Sequence, residues 1–293
     1  MMQKYVIGIL CAVLLLFSIE DVWGQYAVTF SKDAQKSWVR AKKRLPVKLR
    51  AVTHYRFKDQ SGSVHERTTS QMGDCVVIGK FVVTTQHVLT DSTKEEIADY
   101  LKRNGWIFTD LEILGERYEI EYEIEYEHAK FGDRNVLKVV FEDKESDIAL
   151  LEFLKADHLP PSLPVKIGDP AKLDDGSFLI IGGSLDLPGK HFREGYVSSL
   201  APFYPKMESP VADFRRGSYF GINMDIGKGD SGGPVFAITE KGDLEWVGIV
   251  VTLISPPADL FVILKADFVL AFIKEKTGID LRAVHEKQFK VGQ

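Results

Sequence analysis

The feature that most constrains this chain is a long succession of short segments rich in β-branched and aromatic residues. Glycine, proline or small polar residues bound each segment, and from residue 46 onward the segments follow one another at close spacing. Many short strands separated by turn signals are typical of all-β barrels or sandwiches. Strands are predicted at 47–57, 75–78, 81–85, 136–141, 148–153, 177–181, 196–200, 234–238, 245–252 and 260–264.

One further strand and two helices follow from periodicity. Residues 118–127 alternate strictly, with tyrosine and isoleucine on one face and five glutamates on the other. This period of two predicts a half-buried strand. Its acidic face is either a solvated hairpin surface or a site for cations or basic partners. Helical spacing is found at 94–104, and again at 267–276, where Gly278 follows as a stop signal.

The N-terminal segment has the organisation of a signal peptide. Lys4 precedes an apolar run over residues 6–17, and the small residue Gly24 stands before the expected cut. The run is too short for a typical membrane-spanning helix, although an uncleaved anchor is the alternative. We therefore expect a secreted or periplasmic protein with no stable membrane anchor after cleavage.

Prolines within residues 158–164 mark a boundary between two halves of the chain. The predicted division is a signal peptide (1–24), an N-terminal arm (25–45), a first half with an inserted helix (46–157), a second half (158–265) and a C-terminal helix and tail (266–293).

Charge and cysteine content exclude two classes. The formal net charge is only −5 without a basic block, so nucleic acid is not an expected partner. Of the two cysteines, only Cys75 would remain after signal cleavage. An exported domain with one thiol has no internal disulfide, and the apolar run around Cys75 predicts a buried core residue rather than a reactive thiol.

The strongest local signal is the glycine-rich string 227–234, which contains Ser231 and ends at a proline. A serine hydroxyl needs a base for its proton and donors for the oxyanion that it creates. Glycines let the backbone turn so that the amides of Gly229 and Ser231 can serve as those donors. A serine among glycines is often only a turn, but this string runs directly into an apolar strand.

A base and an acid are found where such chemistry would need them. His87 ends the β-rich run 82–87, and Asp147 stands at the head of the apolar strand 148–153. A carboxylate is costly to bury there without a partner. An imidazole N–H would be that partner and would hold the histidine in one orientation.

The motifs Thr-x-x-His-Val (84–88), Asp-Ile-Ala-Leu-Leu (147–151) and Gly-Asp-Ser-Gly-Gly-Pro (229–234) resemble those of the chymotrypsin/trypsin superfamily, in the same order. Residues 73–87, 164–169, 179–182 and 195–200 are similar to the bacterial branch of glutamyl endopeptidases and high-temperature-requirement proteases. The resemblance implies two six-stranded antiparallel β-barrels (a chymotrypsin-like fold) followed by a C-terminal α-helix. It also implies His87 as general base, Asp147 as orienting acid, Ser231 as nucleophile and the Gly229 and Ser231 amides as oxyanion hole.

Two departures from the family pattern, and one match to it in the substrate pocket, carry expectations. The chain has no Ile-Val-Gly-Gly-type segment before the first strand, so we expect Asp230 to pair with local donors rather than with a new N-terminus. Too few residues follow Ser231 for the additional peptide-binding domain of the high-temperature-requirement proteases. In the substrate pocket, a gapless match places Asp225 at the floor, and Thr252 and Ile254 on the strand that lines it.

The resemblance implies an exported serine endopeptidase that acts on proteins or peptides and needs no cofactor or metal. An inactive peptidase-fold binding module is the alternative. A serine esterase is a weaker one, because Gly-x-Ser-x-Gly also fits the esterase nucleophile elbow, which needs a helix after the serine. No His-Glu-x-x-His or paired cysteine spacing indicates a metal enzyme, and the sequence leaves the oligomeric state open.

Overall fold

A computed structural model describes residues 36, 47–89, 93–124, 127–129, 136–155, 159–160, 162–183, 191–200, 218–224, 226–227, 229–254 and 260–291. The predicted signal peptide, and all of the predicted arm except Lys36, lie outside the described residues.

The described chain forms two groups of strands and three α-helices. The first group is β1 (Val47–Asp59), β2 (Val64–Ile78), β3 (Phe81–Thr84), β4 (Phe108–Ile124), β5 (Glu127–Ala129), β6 (Val136–Asp143) and β7 (Ile148–Phe153). The second is β8 (Lys166–Ile167), β9 (Phe178–Gly183), β10 (His191–Ser199), β11 (Tyr219–Asn223), β12 (Pro234–Ile238), β13 (Leu244–Ile254) and β14 (Leu260–Lys265). The helices are α1 (Lys94–Arg103), α2 (Ala266–Thr277) and α3 (Leu281–Val291).

Each group closes into a six-stranded barrel with one short strand added outside the ring. The first ring runs β1-β2-β3-β7-β6-β4 and closes through β1–β4 pairing, while β5 extends β4 as a hairpin. The second ring runs β12-β9-β10-β11-β14-β13 and closes through β12–β13 pairing, while β8 adds a two-residue parallel pair to β13. All pairs within the rings are antiparallel, so the predicted pair of six-stranded barrels is confirmed.

The barrels share a buried core into which the C-terminal helices pack. Trp246 of the second barrel is fully buried in the same cluster as Cys75 of the first and Ile273 of α2. The Cys75 thiol donates to the Val47 carbonyl oxygen at 3.2 Å, and burial raises its pKa well above the ordinary value. The prediction that Cys75 is a core residue is therefore confirmed.

A small separate cluster lies outside the first barrel. The β1–β2 hairpin extends beyond the ring, and α1 covers it by packing Ile97 and Leu101 against Tyr55 and Phe57. The start of α1 is capped by Thr93, whose hydroxyl accepts the Glu96 N–H while the Glu96 carboxylate accepts the Thr93 N–H. The inserted helix predicted at 94–104 is thus confirmed.

The structure corrects three expectations. The C-terminal part holds two helices rather than one helix and a tail, because Leu281 and His285 of α3 are buried against the core. The strand β2 begins at Val64 instead of residue 75, because its polar first half is held by backbone pairing to β1 and has no apolar alternation to reveal it. The strand β11 was not predicted.

Residues 118–124 of the strand predicted at 118–127 belong to β4, which begins earlier, at Phe108, whereas Glu127 lies on β5, which pairs antiparallel with β4. Ile120 is buried, whereas Glu119 is partly exposed and forms an ion pair with Arg117. No helix within the described ranges is long and apolar enough to cross a bilayer.

Candidate active site

His87 lies on a short 3-10 turn (Gln86–Leu89) that directly follows β3. Val88 and Leu89, which come next, are buried and anchor the turn in the first barrel. The His87 side chain itself is 44% exposed. The turn therefore presents an accessible imidazole on a rigid base at the rim of the barrel.

Asp147 ends the turn between β6 and β7 and contacts His87 at two points. Its Oδ2 lies 2.7 Å from His87 Nδ1, and its Oδ1 accepts the His87 main-chain N–H at 2.9 Å. The Asp147 backbone has φ +52°, a left-handed conformation that aspartate tolerates better than most residues. The carboxylate is nearly buried, and the two bonds to His87 provide the partners that its burial requires. The sequence prediction of this pairing agrees with the geometry.

The serine lies on a glycine-rich turn that leads into β12. Gly229 and Gly232 have φ +95° and +83°, conformations that only glycine adopts without strain. The Gly232 N–H donates to the Val250 carbonyl at 2.8 Å, and the Val250 N–H donates to the Gly233 carbonyl at 2.9 Å. These two bonds attach the turn to β13 and hold half-buried Ser231 in place.

Two amides of this turn have no acceptor among the residues that the structure describes. The N–H groups of Asp230, Gly232 and Gly233 all donate to backbone carbonyls. By contrast, the Gly229 and Ser231 amides donate to no other described residue. Amides that are free in a tight turn can bind a developing negative charge. The Gly229 and Ser231 amides are therefore available for the oxyanion binding that the sequence predicts.

Gly73 lies between the serine turn and the histidine turn and allows them to approach each other closely. A Cβ built on Gly73 would lie 2.5 Å from Val88 Cγ2 and 2.9 Å from the Ser231 carbonyl oxygen. The residue after His87 and the backbone of Ser231 thus lie within about 5.5 Å of each other. In addition, the Asp74 N–H donates to the Ser231 carbonyl at 2.8 Å, which joins the two barrels directly.

The Ser231 hydroxyl and the His87 ring, both described, make no hydrogen bond to each other. Bonds of this kind are often longer in a site without substrate and tighten when substrate binds. The structure therefore joins His87 to Asp147 and brings the backbone of Ser231 close to Val88, the residue after His87.

Asp230, the residue before the serine, is fully buried and bonded to Arg193. Arg193 Nη1 and Nη2 donate to the two carboxylate oxygens at 2.7 and 2.6 Å, and the Gly227 N–H donates at 2.8 Å. The expectation that Asp230 pairs with local donors is confirmed. Sequence analysis did not identify Arg193, and its only signal was a single cation within the strand-forming segment 191–199.

The predicted substrate pocket is described only in part. Asp225 lies outside the described residues. Thr252 and Ile254 lie on β13, where the backbone pairs them with Val262 and Leu260 of β14. Their assignment to the pocket stays a prediction.

The residues after the serine exclude the esterase arrangement. Pro234 begins the strand β12, whereas the esterase elbow requires a helix at that point. In the part of the chain that the structure describes, no group of three histidine, cysteine or acidic residues could hold a metal ion.

Comparison with known proteins also indicates a peptidase. A family model described as a trypsin-like peptidase domain matches residues 71–249, more than half of the chain. No curated protein matches the sequence.

Several solved structures with a similar fold are proteases. The active form of the Rv3671c protease from M. tuberculosis is 19% identical with a TM-score of 0.51, and the match covers 84% of this chain and 86% of that one. The HtrA-type protease AlgW with a decapeptide is 12% identical with a TM-score of 0.53, and the match covers 83% of this chain and 66% of that one. The chain spans about two thirds of the length of the HtrA-type chains. At these identities the similarity shows the fold alone. The predicted similarity in fold to the high-temperature-requirement (HtrA-type) proteases is confirmed.

Proposed function

Because the chain belongs to the trypsin-like peptidase domain family, we propose that it is an exported serine endopeptidase that cleaves peptide bonds through an acyl-enzyme on Ser231. The observation that carries the proposal is the double contact between Asp147 and His87, at 2.7 and 2.9 Å, beside the serine turn. An inactive binding module would have no need of an oriented, accessible imidazole at this position.

The family membership and the contact between His87 and Asp147 support the following roles. The Ser231 oxygen attacks the substrate carbonyl, while His87 Nε2 takes the hydroxyl proton. Asp147 holds the ring with Nδ1 protonated and stabilises the imidazolium that forms. The negative charge on the former carbonyl oxygen is bound by the amides of Gly229 and Ser231.

The intermediate then collapses in the usual order of acyl transfer. The C–N bond breaks, and His87 returns its proton to the leaving amine, which departs with the downstream part of the substrate. Water then attacks the ester on Ser231 with His87 again as base, which releases the acid product and restores the hydroxyl. No cofactor enters any step.

Export is the second part of the proposal and is supported by the N-terminal sequence. Cleavage after Gly24 would remove Cys11 and leave Cys75, which is buried, as the single thiol. We place the mature enzyme in the periplasm or the medium. Expression of the full chain in a bacterial host and N-terminal sequencing of the product tests this, since a product that retains Met1 in the cytoplasm would contradict export.

Covalent labelling tests the catalytic part of the proposal. A fluorophosphonate should label the wild-type protein at Ser231, as located by mass spectrometry, because the reagent mimics the tetrahedral intermediate. Ser231→Ala should stay unlabelled, and Ser146→Ala, in the turn before Asp147, should label like wild type. A folded wild-type protein that is neither labelled nor able to cleave a randomised peptide library would instead support the binding module.

A further inference from the structure

A cleft of about 250 Å³ opens between the last helix and the second barrel. The strand β8 forms one side of it with Lys166 and Ile167. The helix α3 forms the other side with Arg282, His285, Glu286, Phe289 and Lys290. These five residues are three or four positions apart and therefore share one face of the helix. None of the residues that line this α3 cleft belongs to the histidine turn or to the serine turn.

The helical side of the α3 cleft is anchored in the protein. Leu281 is fully buried, and His285 is only 3% exposed. The His285 ring stacks on the Phe289 ring with 5.6 Å between the centroids. On the adjoining face of α3, Val284 packs against the shared core. The aromatic wall is thus held in place by the fold, as is usual for sites that bind small molecules.

The α3 cleft is positively charged, although the whole chain has a net charge of −5. Three of its lining side chains are cations, those of Lys166, Arg282 and Lys290, and Glu286 is the single acidic one. Like charges that converge on one concave surface repel each other, and an anion bound between them would relieve this repulsion. The charge of the cleft therefore favours an anionic ligand.

The two cations of α3 are not used in ion pairs along the helix. Glu286 lies four residues from both Arg282 and Lys290, a spacing at which helical ion pairs form. Neither cationic side chain, however, forms an ion pair with a residue that the structure describes. Burial raises the pKa of Glu245 on β13, and the nearby Lys166 partly opposes this effect. The charge that remains for a ligand therefore comes mainly from Arg282 and Lys290.

The chemistry of the lining defines the class of ligand. A guanidinium group binds carboxylate and phosphate oxygens through two parallel hydrogen bonds. Phe289 and Ile167 provide apolar surface in the same cleft, which a purely inorganic anion would not use. We propose that the α3 cleft binds a small organic anion, with its phosphate or carboxylate group on Arg282 and Lys290 and its apolar part against Phe289. This site is separate from the catalytic one and does not depend on the proposed function.

Phenyl phosphate is the first probe, because it joins a phosphate group to an aromatic ring. Isothermal titration calorimetry with the purified protein should give a Kd in the millimolar range or below, as expected for a ligand of this size. Phenylacetate, titrated in parallel, shows whether a carboxylate serves as well as a phosphate. Inorganic phosphate and benzyl alcohol each carry one half of the ligand and should bind at least about tenfold more weakly. No binding of either phenyl phosphate or phenylacetate would overturn the proposal.

Substitutions on α3 locate the bound probe. Arg282→Gln and Lys290→Gln should each weaken phenyl phosphate binding by about tenfold, because each removes a charge-assisted hydrogen bond. Lys287→Gln is the matched control, since Lys287 is an exposed cation of the same helix that does not line the cleft. Glu286→Gln should tighten binding roughly two- to fivefold, because it removes a carboxylate that repels the anion. All four side chains are exposed, so the variants should fold, as urea unfolding can check.

The outcomes separate a specific site from the general attraction of anions to a basic surface. Equal weakening in Arg282→Gln and Lys287→Gln would overturn the cleft as the binding site. Inorganic phosphate that binds as tightly as phenyl phosphate would overturn the apolar contact with Phe289. Fluorophosphonate labelling of Ser231 should keep its rate when phenyl phosphate is present. Slower labelling that persists in Arg282→Gln would place the probe in the catalytic site and would contradict the proposal.

Discussion

Arg193 on β10 donates to both carboxylate oxygens of Asp230, at 2.7 and 2.6 Å, and Asp230 directly precedes Ser231. The pair is almost entirely removed from solvent, because the Asp230 side chain is fully buried and that of Arg193 is 13% exposed. The second barrel thereby holds the serine turn through a side chain as well as through the bonds between the turn and Val250.

Arg193→Met should therefore strongly destabilise the protein. The substitution leaves the Asp230 carboxylate buried without its cation, which costs about 3–5 kcal/mol in the free energy of unfolding. Urea unfolding measures this loss, and fluorophosphonate labelling should also slow because the serine turn loosens.

The double variant Arg193→Met/Asp230→Leu is the matched control. It removes the unpaired charge and should recover part of the stability, but not the labelling rate, because the Gly227 N–H also loses its acceptor. An Arg193→Met protein as stable as wild type would show that the pair does not hold the turn.

Asp147→Asn should abolish most of the activity with little effect on the fold. Asparagine tolerates the left-handed backbone of Asp147, but its amide cannot hold His87 with Nδ1 protonated. We expect kcat to fall about 10⁴-fold, the size of the loss that the corresponding substitution causes in the serine-protease triad. Asp143→Asn is the control, because Asp143 lies at the start of the same turn and bonds Ser146 instead of His87. Equal losses in both variants would contradict the role of Asp147.

Gly232→Ala should cost more stability than its backbone conformation alone explains. A methyl group there would collide with the Asp74 carbonyl oxygen and the Thr84 hydroxyl. Gly105→Ala is a matched control, because Gly105 has a similar φ of +80° with nothing within 4 Å of the added carbon. In both variants the left-handed conformation should lower the free energy of unfolding by about 1–2 kcal/mol. Gly232→Ala should lose a further 1–3 kcal/mol or so from overpacking in urea unfolding. Equal losses would mean that the turn is not closely packed.

The stability of the protein should fall as the pH falls below the ordinary histidine pKa of 6.5. Burial lowers the pKa of His285 on α3, and the nearby carbonyls of Leu163 and Val165 only partly offset this effect. In that window the unfolded chain binds a proton that the folded chain resists, so stability rises with pH and the gain is complete above about pH 6.5.

Urea unfolding between pH 5 and 8 measures this slope, and His285→Gln serves as the comparison. The variant should show a smaller dependence on pH between 5 and 6.5, whatever its overall stability. The same slope in both proteins would mean that His285 does not contribute.

Sequence reasoning placed most strands of the two barrels, because their apolar alternation is a local property. The strand β7 (Ile148–Phe153), for example, consists almost entirely of buried residues with a clear start at Asp147. It failed for the first half of β2, whose exposed polar residues form a strand only because β1 lies beside them. It also took α3 for a tail, although Leu281, Val284 and His285 have the spacing of one helical face.

The sequence by itself was sufficient to nominate His87, Asp147, Ser231 and Gly229, because each lies in a short motif whose chemistry depends on its immediate neighbours. Only the tertiary structure decided that Arg193 is the partner of Asp230, that Gly73 lies between Val88 and Ser231, and that the Asp74 N–H of β2 donates to the Ser231 carbonyl. These relationships join residues far apart in the chain. They depend on how the two barrels close and pack together, and no local pattern of residue types contains that information.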